Sequence, residues 1–285
     1  MPENIEIIRS VADLRHRING WRREGLSLGL VPTMGALHEG HFSLVDQSIR
    51  TTDRTVVTLF VNPRQFAPDE DFDVYPRNEA ADATALAVRG VHVLFAPPVE
   101  EMYVDGAVTT VSVPGIGDLF DGAFRPGFFT GVATVVAKLM IQSLPDRAFF
   151  GEKDYQQFQV IKRMARDLDL PVEAVGCPIV REDDGLAMSS RNAYLSAEER
   201  QTAKTLYQVL TAVAQTISTG GDIKQTVEAG KTRLLVDGFA SIDYLVVVDP
   251  ETLEELDNLS GDARILVAAW IGKTRLIDNL AVAAS

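Results

Sequence analysis

Residues 26–61 read LSLGLVPTMGALHEGHFSLVDQSIRTTDRTVVTLFV. The apolar run from Leu26 to Pro32 ends in turn residues, Gly40 to Arg50 has helical spacing, and Arg54 to Val61 is a second apolar run rich in β-branched side chains. Short apolar runs bounded by turn residues are the pattern of buried strands. A strand, a short loop, a helix and another strand make the unit of a parallel sheet, because parallel neighbours need a crossover connection.

The same rhythm extends in both directions. Upstream, Ser10 and Asp13 have capping-box spacing, and Val11, Leu14, Ile18 and Trp21 share one face of a helix that runs to about Gly25. Downstream, the reading gives a helix near Asn78 to Arg89, a strand at Val91 to Ala96, a helix at Gly131 to Ser143 and a strand at Arg147 to Phe150. A helix at Asp154 to Asp167 and a strand at Val172 to Cys177 follow. This alternation predicts an α/β fold, a doubly wound, Rossmann-like parallel sheet over residues 1–177, with ligands beyond the carboxyl ends of its strands. From Pro178 the order changes to two helices, Ser196 to Gly220 and Ile223 to Asp237, then two strands, Ile242 to Val248 and Ala263 to Ile271. Residues 178–285 are therefore expected to form a smaller α+β domain.

Composition narrows the function. Of 285 residues, 46% are hydrophobic and 24% charged, enough apolar material for a sizeable core. The net charge of −13 argues against nucleic-acid or anionic-membrane partners, so any anionic ligand must be held by local groups. A single cysteine, Cys177, forms no intrachain disulfide and no multi-cysteine zinc site. With no secretory pattern at the start and no apolar run long enough to span a bilayer, a cytoplasmic location is expected.

Some motif-like strings carry nothing. Gly-Lys-Thr occurs at Gly230 to Thr232 and at Gly272 to Thr274, but Gln225 and Val267 stand where a phosphate-binding loop needs its first glycine. Gly115-Ile116-Gly117 lacks the third glycine of a dinucleotide fingerprint, where Phe120 stands. His38-Glu39-Gly40-His41 is one residue short of a zinc-protease motif, and His16 and His92 are remote in sequence.

Four other segments combine chemistry with position. Pro32-Thr33-Met34-Gly35-Ala36-Leu37-His38-Glu39-Gly40-His41 lies where a strand gives way to a helix. Helix-start amides favour anions there, glycines permit close approach, and the two histidines share a face from which they could stabilise charge on a phosphoryl group. Gly151-Glu152-Lys153-Asp154-Tyr155-Gln156-Gln157 opens another helix after a strand, with a compact cation in Lys153 and a ribose-type acceptor in Asp154. Met188-Ser189-Ser190-Arg191-Asn192 sets hydroxyls beside a guanidinium, a combination suited to nucleotide phosphates. Phe60-Val61-Asn62-Pro63-Arg64-Gln65-Phe66 follows a strand and is itself followed by Tyr75-Pro76-Arg77. Asn62 and Gln65 there suit a small polyhydroxy or carboxylate substrate, or equally an Asn-Pro turn.

In this order the four segments resemble the pantothenate synthetase family, over nearly the whole chain. Pro32 to His41 looks like that family's version of the HIGH motif of nucleotidyltransferases, and Met188 to Asn192 like its counterpart of the KMSKS loop. The resemblance implies an ATP-dependent ligase that uses Mg²⁺, converts pantoate to an enzyme-bound pantoyl adenylate and lets β-alanine displace AMP, typically as a homodimer. It also implies residue roles. His38 and His41 would act at the α-phosphate, with Met34 and Gly40 shaping the nucleotide site, while Lys153, Ser189, Ser190 and Arg191, in the segment opened by Met188, grip the phosphates. Gly151, Asp154 and Val180 would contact adenosine, Gln65, Gln157 and Asn62 would hold pantoate, and Asp82 would help to place Mg²⁺.

Two positions depart from the family pattern. Phe128 stands where members usually have histidine, and Asp121 where they usually have glutamate. A nucleotidyltransferase acting on a phosphorylated alcohol is the rival reading, and would call for more basic residues around Gln65 than Arg64 and Arg77. A nucleotide-sensing domain is a second rival, which leaves the histidine pair together with Lys153 and Arg191 unexplained.

Overall fold

The computed structural model describes residues 5–66, 72 and 78–283. Tyr75, Pro76 and Arg77 lie outside them. Two compact units divide the chain: Met1–Glu152 with Gln157–Pro178, and Lys153–Gln156 with Ile179–Ser285.

The first unit runs β1 (Glu6–Ile8), α1 (Val11–Arg23), β2 (Leu28–Thr33), α2 (Glu39–Thr51), β3 (Arg54–Leu59), a 3-10 turn at Pro63–Gln65, α3 (Glu79–Val88) and β4 (Val93–Phe95). It continues through α4 (Val99–Met102), α5 (Asp121–Phe124), α6 (Phe128–Ser143), β5 (Arg147–Gly151), α7 (Tyr155–Asp167) and β6 (Glu173–Cys177). The first two residues of α7, Tyr155 and Gln156, belong to the second unit.

All strand pairs of this sheet are parallel, in the order β1-β4-β3-β2-β5-β6. From β2 the chain steps outward through β3 to β4, then returns to lay β5 and β6 on the other side of β2. The sheet is thus doubly wound, with its switch point between β2 and β5. Strand parity explains why these strands read as unbroken apolar runs. Leu28, Leu30, Val56, Val93, Phe95, Ala148 and Phe150 pack on one face with α1, α6 and α7. Their strand neighbours Val31, Val57, Leu94 and Phe149 pack on the other with α2 and α3. Alternate residues point to opposite faces, so a sheet covered on both sides favours apolar residues at successive positions.

The second unit carries a 3-10 turn at Ser190–Tyr194, α8 (Ala197–Ala203), α9 (Thr205–Ser218), α10 (Ile223–Val236), β7 (Ser241–Val248), β8 (Ala263–Ile271) and β9 (Thr274–Val282). Its sheet is antiparallel, in the order β7-β8-β9, and packs on α9 and α10 through Val209, Val213, Leu234, Val247, Ile265, Val267 and Leu276.

Three sequence expectations are corrected here. The three-residue edge strand β1 and the whole of β9 are additions to the expected elements, and the helix expected over 196–220 is broken at Lys204. Ser196 does form the expected capping box with Glu199. Gly272 and Lys273, part of a discarded phosphate-loop string, are the two-residue turn joining β8 to β9.

Candidate active site

The string from Pro32 to His41 runs from the carboxyl end of β2, beside the switch point, into α2. Gly35 and Ala36 are both left-handed, with φ of +89° and +52°, a conformation natural for glycine and strained for alanine. Asp82 of α3 compensates: Oδ2 accepts from Ala36 N and Oδ1 from Leu37 N, each at 3.0 Å, and the residue is only 5% exposed. Thr33 Oγ1 accepts from Gly35 N at 3.3 Å and donates to Thr58 O at 2.6 Å. The amides of Ala36 and Leu37, just ahead of the helix start, are thus taken up by a buried carboxylate.

The loop delivers His38 as the N-cap of α2. Its Nδ1 accepts from Gly40 N at 3.1 Å, and His41 Nδ1 accepts from His38 N at 3.4 Å. The rings lie 4.1 Å apart, centroid to centroid. A neutral imidazole that accepts at Nδ1 carries its proton on Nε2, so each ring is held in the tautomer that donates from Nε2. Two adjacent Nε2–H donors can stabilise oxygens gaining charge on one phosphorus.

The segment after β3 forms a second cluster. Asn62 is 1% exposed and caps the Pro63–Gln65 turn. Its amide donates to Gln65 Oε1 and to Gly131 O, each at 3.1 Å, while Oδ1 accepts from Arg64 N at 3.2 Å and from the Tyr103 hydroxyl at 2.8 Å. The turn reading of Asn62 is realised here, and its amide also holds Gln65 Oε1. Burial, partly offset by Arg64, raises the Tyr103 phenol to about 12, so it stays protonated and donating. Gln65 Nε2 donates to Met34 Sδ at 2.9 Å, which joins this cluster to the histidine loop. Gly131 of α6 is another glycine the geometry demands, since an added Cβ would fall 2.1 Å from Arg64 O and 2.9 Å from Gln65 Cα. Gln157 lies half-buried on α7, and Gly151 ends β5.

Phe128, the departure from the family pattern, begins α6 with the Arg125 guanidinium 3.6 Å over its ring centre. Arg125 Nη2 also donates to Gln65 O at 3.4 Å. Because an imidazole is also planar and can lie under the guanidinium, Phe128→His should fold and be at least as active as the parent at pH 8, where the imidazole is neutral. Melting temperature and steady-state rate check this. Loss of most activity would mean that the loop depends on the phenyl ring.

The second unit holds the remaining candidates. Arg181 and Ala187 form an antiparallel bridge, with Met188 N donating to Val180 O at 3.0 Å, so residues 180–188 make a hairpin leading into Ser189. Ser189 Oγ caps the following turn, accepting from Arg191 N at 3.3 Å, and Ser190 and Arg191 lie within that turn. Asn192 Nδ2 donates to Glu182 Oε1 at 3.0 Å and to Ala187 O at 3.1 Å, fastening the segment to its hairpin. Arg200 binds Glu182 and Asp184, and that pairing lowers the Asp184 carboxyl below its usual range. Lys153 Nζ lies 3.8 Å from Asp154 Oδ1, and the Lys153 carbonyl accepts from Asn279 Nδ2 at 2.9 Å. Sequence reading missed Thr33, Tyr103, Gly131, Arg181, Asp278 and Asn279. The visible signal for the last two was a polar pair inside the apolar run LIDNLAV.

Among the described residues no group of three or more His, Cys, Asp or Glu side chains could hold a metal ion. Each Asp82 oxygen accepts from one loop amide and keeps a lone pair, and Mg²⁺ held between a carboxylate and nucleotide phosphates needs no group of that kind. Cys177 is buried, and burial together with Glu152, against the opposing charge of Arg50, raises its thiol to about 11. It is a packing residue rather than a nucleophile. Among the described residues no helix is long and apolar enough to cross a membrane.

Comparison with known proteins decides what this arrangement belongs to. The family model for pantoate-beta-alanine ligase matches residues 6–281. The chain belongs to the pantoate–β-alanine ligase family. Within it, the pantothenate synthetase of Paramagnetospirillum magneticum is 54% identical over 282 residues, 99% of each chain. The crystal structure of pantothenate synthetase from Thermus thermophilus superposes with a TM-score of 0.90 at 47% identity, covering 97% of this chain and 99% of that one. Pantoate-beta-alanine ligase from Francisella tularensis, complexed with beta-gamma ATP and beta-alanine, does so with a TM-score of 0.82 at 32% identity, covering 97% of each chain. Within this ligase family the doubly wound sheet and the smaller α+β unit are both accounted for.

Proposed function

We propose that this protein condenses pantoate with β-alanine to pantothenate, using ATP and passing through a bound pantoyl adenylate. The observation that carries the reading is the histidine pair, mutually capped at the switch point with both rings set to donate from Nε2. In the first step a pantoate carboxylate oxygen bonds to the α-phosphorus of ATP while the bond to pyrophosphate breaks. His38 and His41 donate to the α-phosphate as its oxygens gain charge, with no covalent enzyme nucleophile. In the second step the β-alanine nitrogen attacks the acyl carbon, AMP leaves, and the nitrogen gives up a proton to form the amide.

Lys153, Ser189, Ser190 and Arg191 are assigned to the phosphates, Met34, Gly40, Gly151, Asp154, Val180 and Met188 to the rest of the nucleotide site, and Gln65 and Gln157 to pantoate. Gln65 is suited to exchange partners, because the thioether that now accepts its N–H is a weak acceptor that a substrate oxygen displaces cheaply. Asn62 and Asp82 are positioning residues for Gln65 and for the histidine loop. Mg²⁺ is assigned to the ATP phosphates, the usual partners of this ion in nucleotide sites. A homodimer working in the cytoplasm rests on the family resemblance. Against a phosphorylated-alcohol acceptor stands the engagement of the arginines near Gln65: Arg64 lies over Tyr103 and donates to Ala107 O, and Arg125 lies over Phe128.

Adenylation consumes ATP before the amine is used, so it should run alone. With Mg²⁺ and pantoate but no β-alanine, the protein is expected to exchange labelled pyrophosphate into ATP. Exchange that needed a phosphorylated alcohol instead would replace the ligase reading with the transferase, and no exchange with any acceptor would leave a nucleotide sensor.

A further inference from the structure

Two adjacent residues of β9 hold, from opposite faces of its sheet, the Lys153 carbonyl and the hairpin that leads into Ser189. Asp278, 3% exposed, takes the Arg181 guanidinium in a two-pronged pair, Nη1 to Oδ2 at 2.7 Å and Nη2 to Oδ1 at 2.9 Å. Arg181 also donates to Gly185 O at 2.9 Å and lies over the Tyr207 ring at 4.0 Å, so the hairpin that leads into Ser189 is fastened to the strand. Asn279, 2% exposed, donates through Nδ2 to the Lys153 carbonyl at 2.9 Å and accepts at Oδ1 from Arg264 Nε at 2.8 Å. Arg264 in turn lies 3.9 Å over the ring of Tyr155, whose hydroxyl donates to Pro250 O at 2.9 Å. The two residues are joined to each other, Asn279 N donating to Asp278 Oδ1 at 2.7 Å. Successive strand residues face opposite ways, so one step of β9 serves both the hairpin and the Lys153 carbonyl.

We infer that Asp278 and Asn279 are positioning residues for adenylation, with Asn279 setting where the Lys153 ammonium stands and Asp278 setting the Ser189 to Arg191 turn. The inference rests on the phosphate-binding role proposed for those segments. A buried amide with both ends engaged restricts the backbone it holds, and a cation displaced by about an ångström loses much of its value to a phosphate.

The test is a double-mutant cycle on the full chain, read as steady-state constants for ATP and for pantoate. Asn279→Ala should raise KM for ATP about tenfold while leaving KM for pantoate within about twofold, and in a Lys153→Ala background it should add almost nothing. Asn279→Asp, which keeps an acceptor for Arg264 but loses the donor to Lys153, should behave like the alanine variant. A residue that merely supported the sheet would add its cost in both backgrounds. Additive losses, equal effects on both substrates, or failure of both variants to fold would overturn the inference. Normal activity of Asn279→Ala beside an impaired Lys153→Ala would overturn it alone, and a fully active Lys153→Ala would overturn the phosphate role with it.

Discussion

His41→Ala is expected to slow adenylate formation by about 10²-fold or more while leaving the protein folded. In the role proposed for it, His41 is one of two donors to the phosphorus under attack, and a preorganised donor to developing charge is typically worth about that factor. The alanine also removes the acceptor for His38 N, but losing a helix cap costs only about 1 kcal/mol. His41→Asn separates the two effects. The shorter amide can still accept from His38 N through Oδ1, as Nδ1 does now, yet it has no atom where Nε2 stands. It should therefore keep the parent's melting temperature and lose as much pyrophosphate exchange as the alanine variant. Near-normal exchange in either folded variant would remove His41 from the chemistry.

Asp82→Ala should be comparably damaging to activity without touching a substrate. Its two oxygens satisfy Ala36 N and Leu37 N inside the protein, and each buried N–H left without an acceptor costs about 1–3 kcal/mol. Ala36 also sits at φ +52°, a conformation costing on the order of 1 kcal/mol that the carboxylate now compensates. Released, the loop relaxes toward ordinary backbone angles and carries His38 with it. A shift of about 1 Å at a reacting group costs on the order of 10² in rate, and the melting temperature should fall as well. Asp82→Asn is the sharper variant, because its NH₂ meets a backbone N–H donor to donor. Retention of parental exchange by both variants would show that the loop holds its shape without the clamp.

The sequence was most informative where structure is repetitive. Strands covered on both faces are mostly apolar, so β2, β3 and β5 stand out as apolar runs, and capping residues such as Ser10, Asn78 and Ser196 mark helix starts to within a residue. Short or interrupted elements are hidden. Strand β1 is three residues long, and β9 carries Asp278 and Asn279 in its middle, which breaks the apolar pattern. In the candidate site, residue types and local strings are readable, but their working partners are distant. Asp82 reaches a loop 45 and 46 residues earlier, and Asn62 meets Gly131 69 residues later. Composition and spacing contain no signal for such pairs.

The bond between Asn279 and the Lys153 carbonyl spans 126 residues, and that separation has a consequence for biosynthesis. A chain emerging from the ribosome has both histidines and every strand of the parallel sheet once Cys177 is made, and such a sheet can begin to fold while the remainder is translated. Lys153 is already present in that nascent chain, but its anchor is about a hundred residues from being synthesised. At an elongation rate of about 5–20 residues per second the interval is on the order of ten seconds. If Lys153 and the histidine pair have the roles proposed above, the growing protein then holds the histidines before the Lys153 carbonyl has its anchor, and competence to adenylate comes only with the strand that carries Asp278 and Asn279.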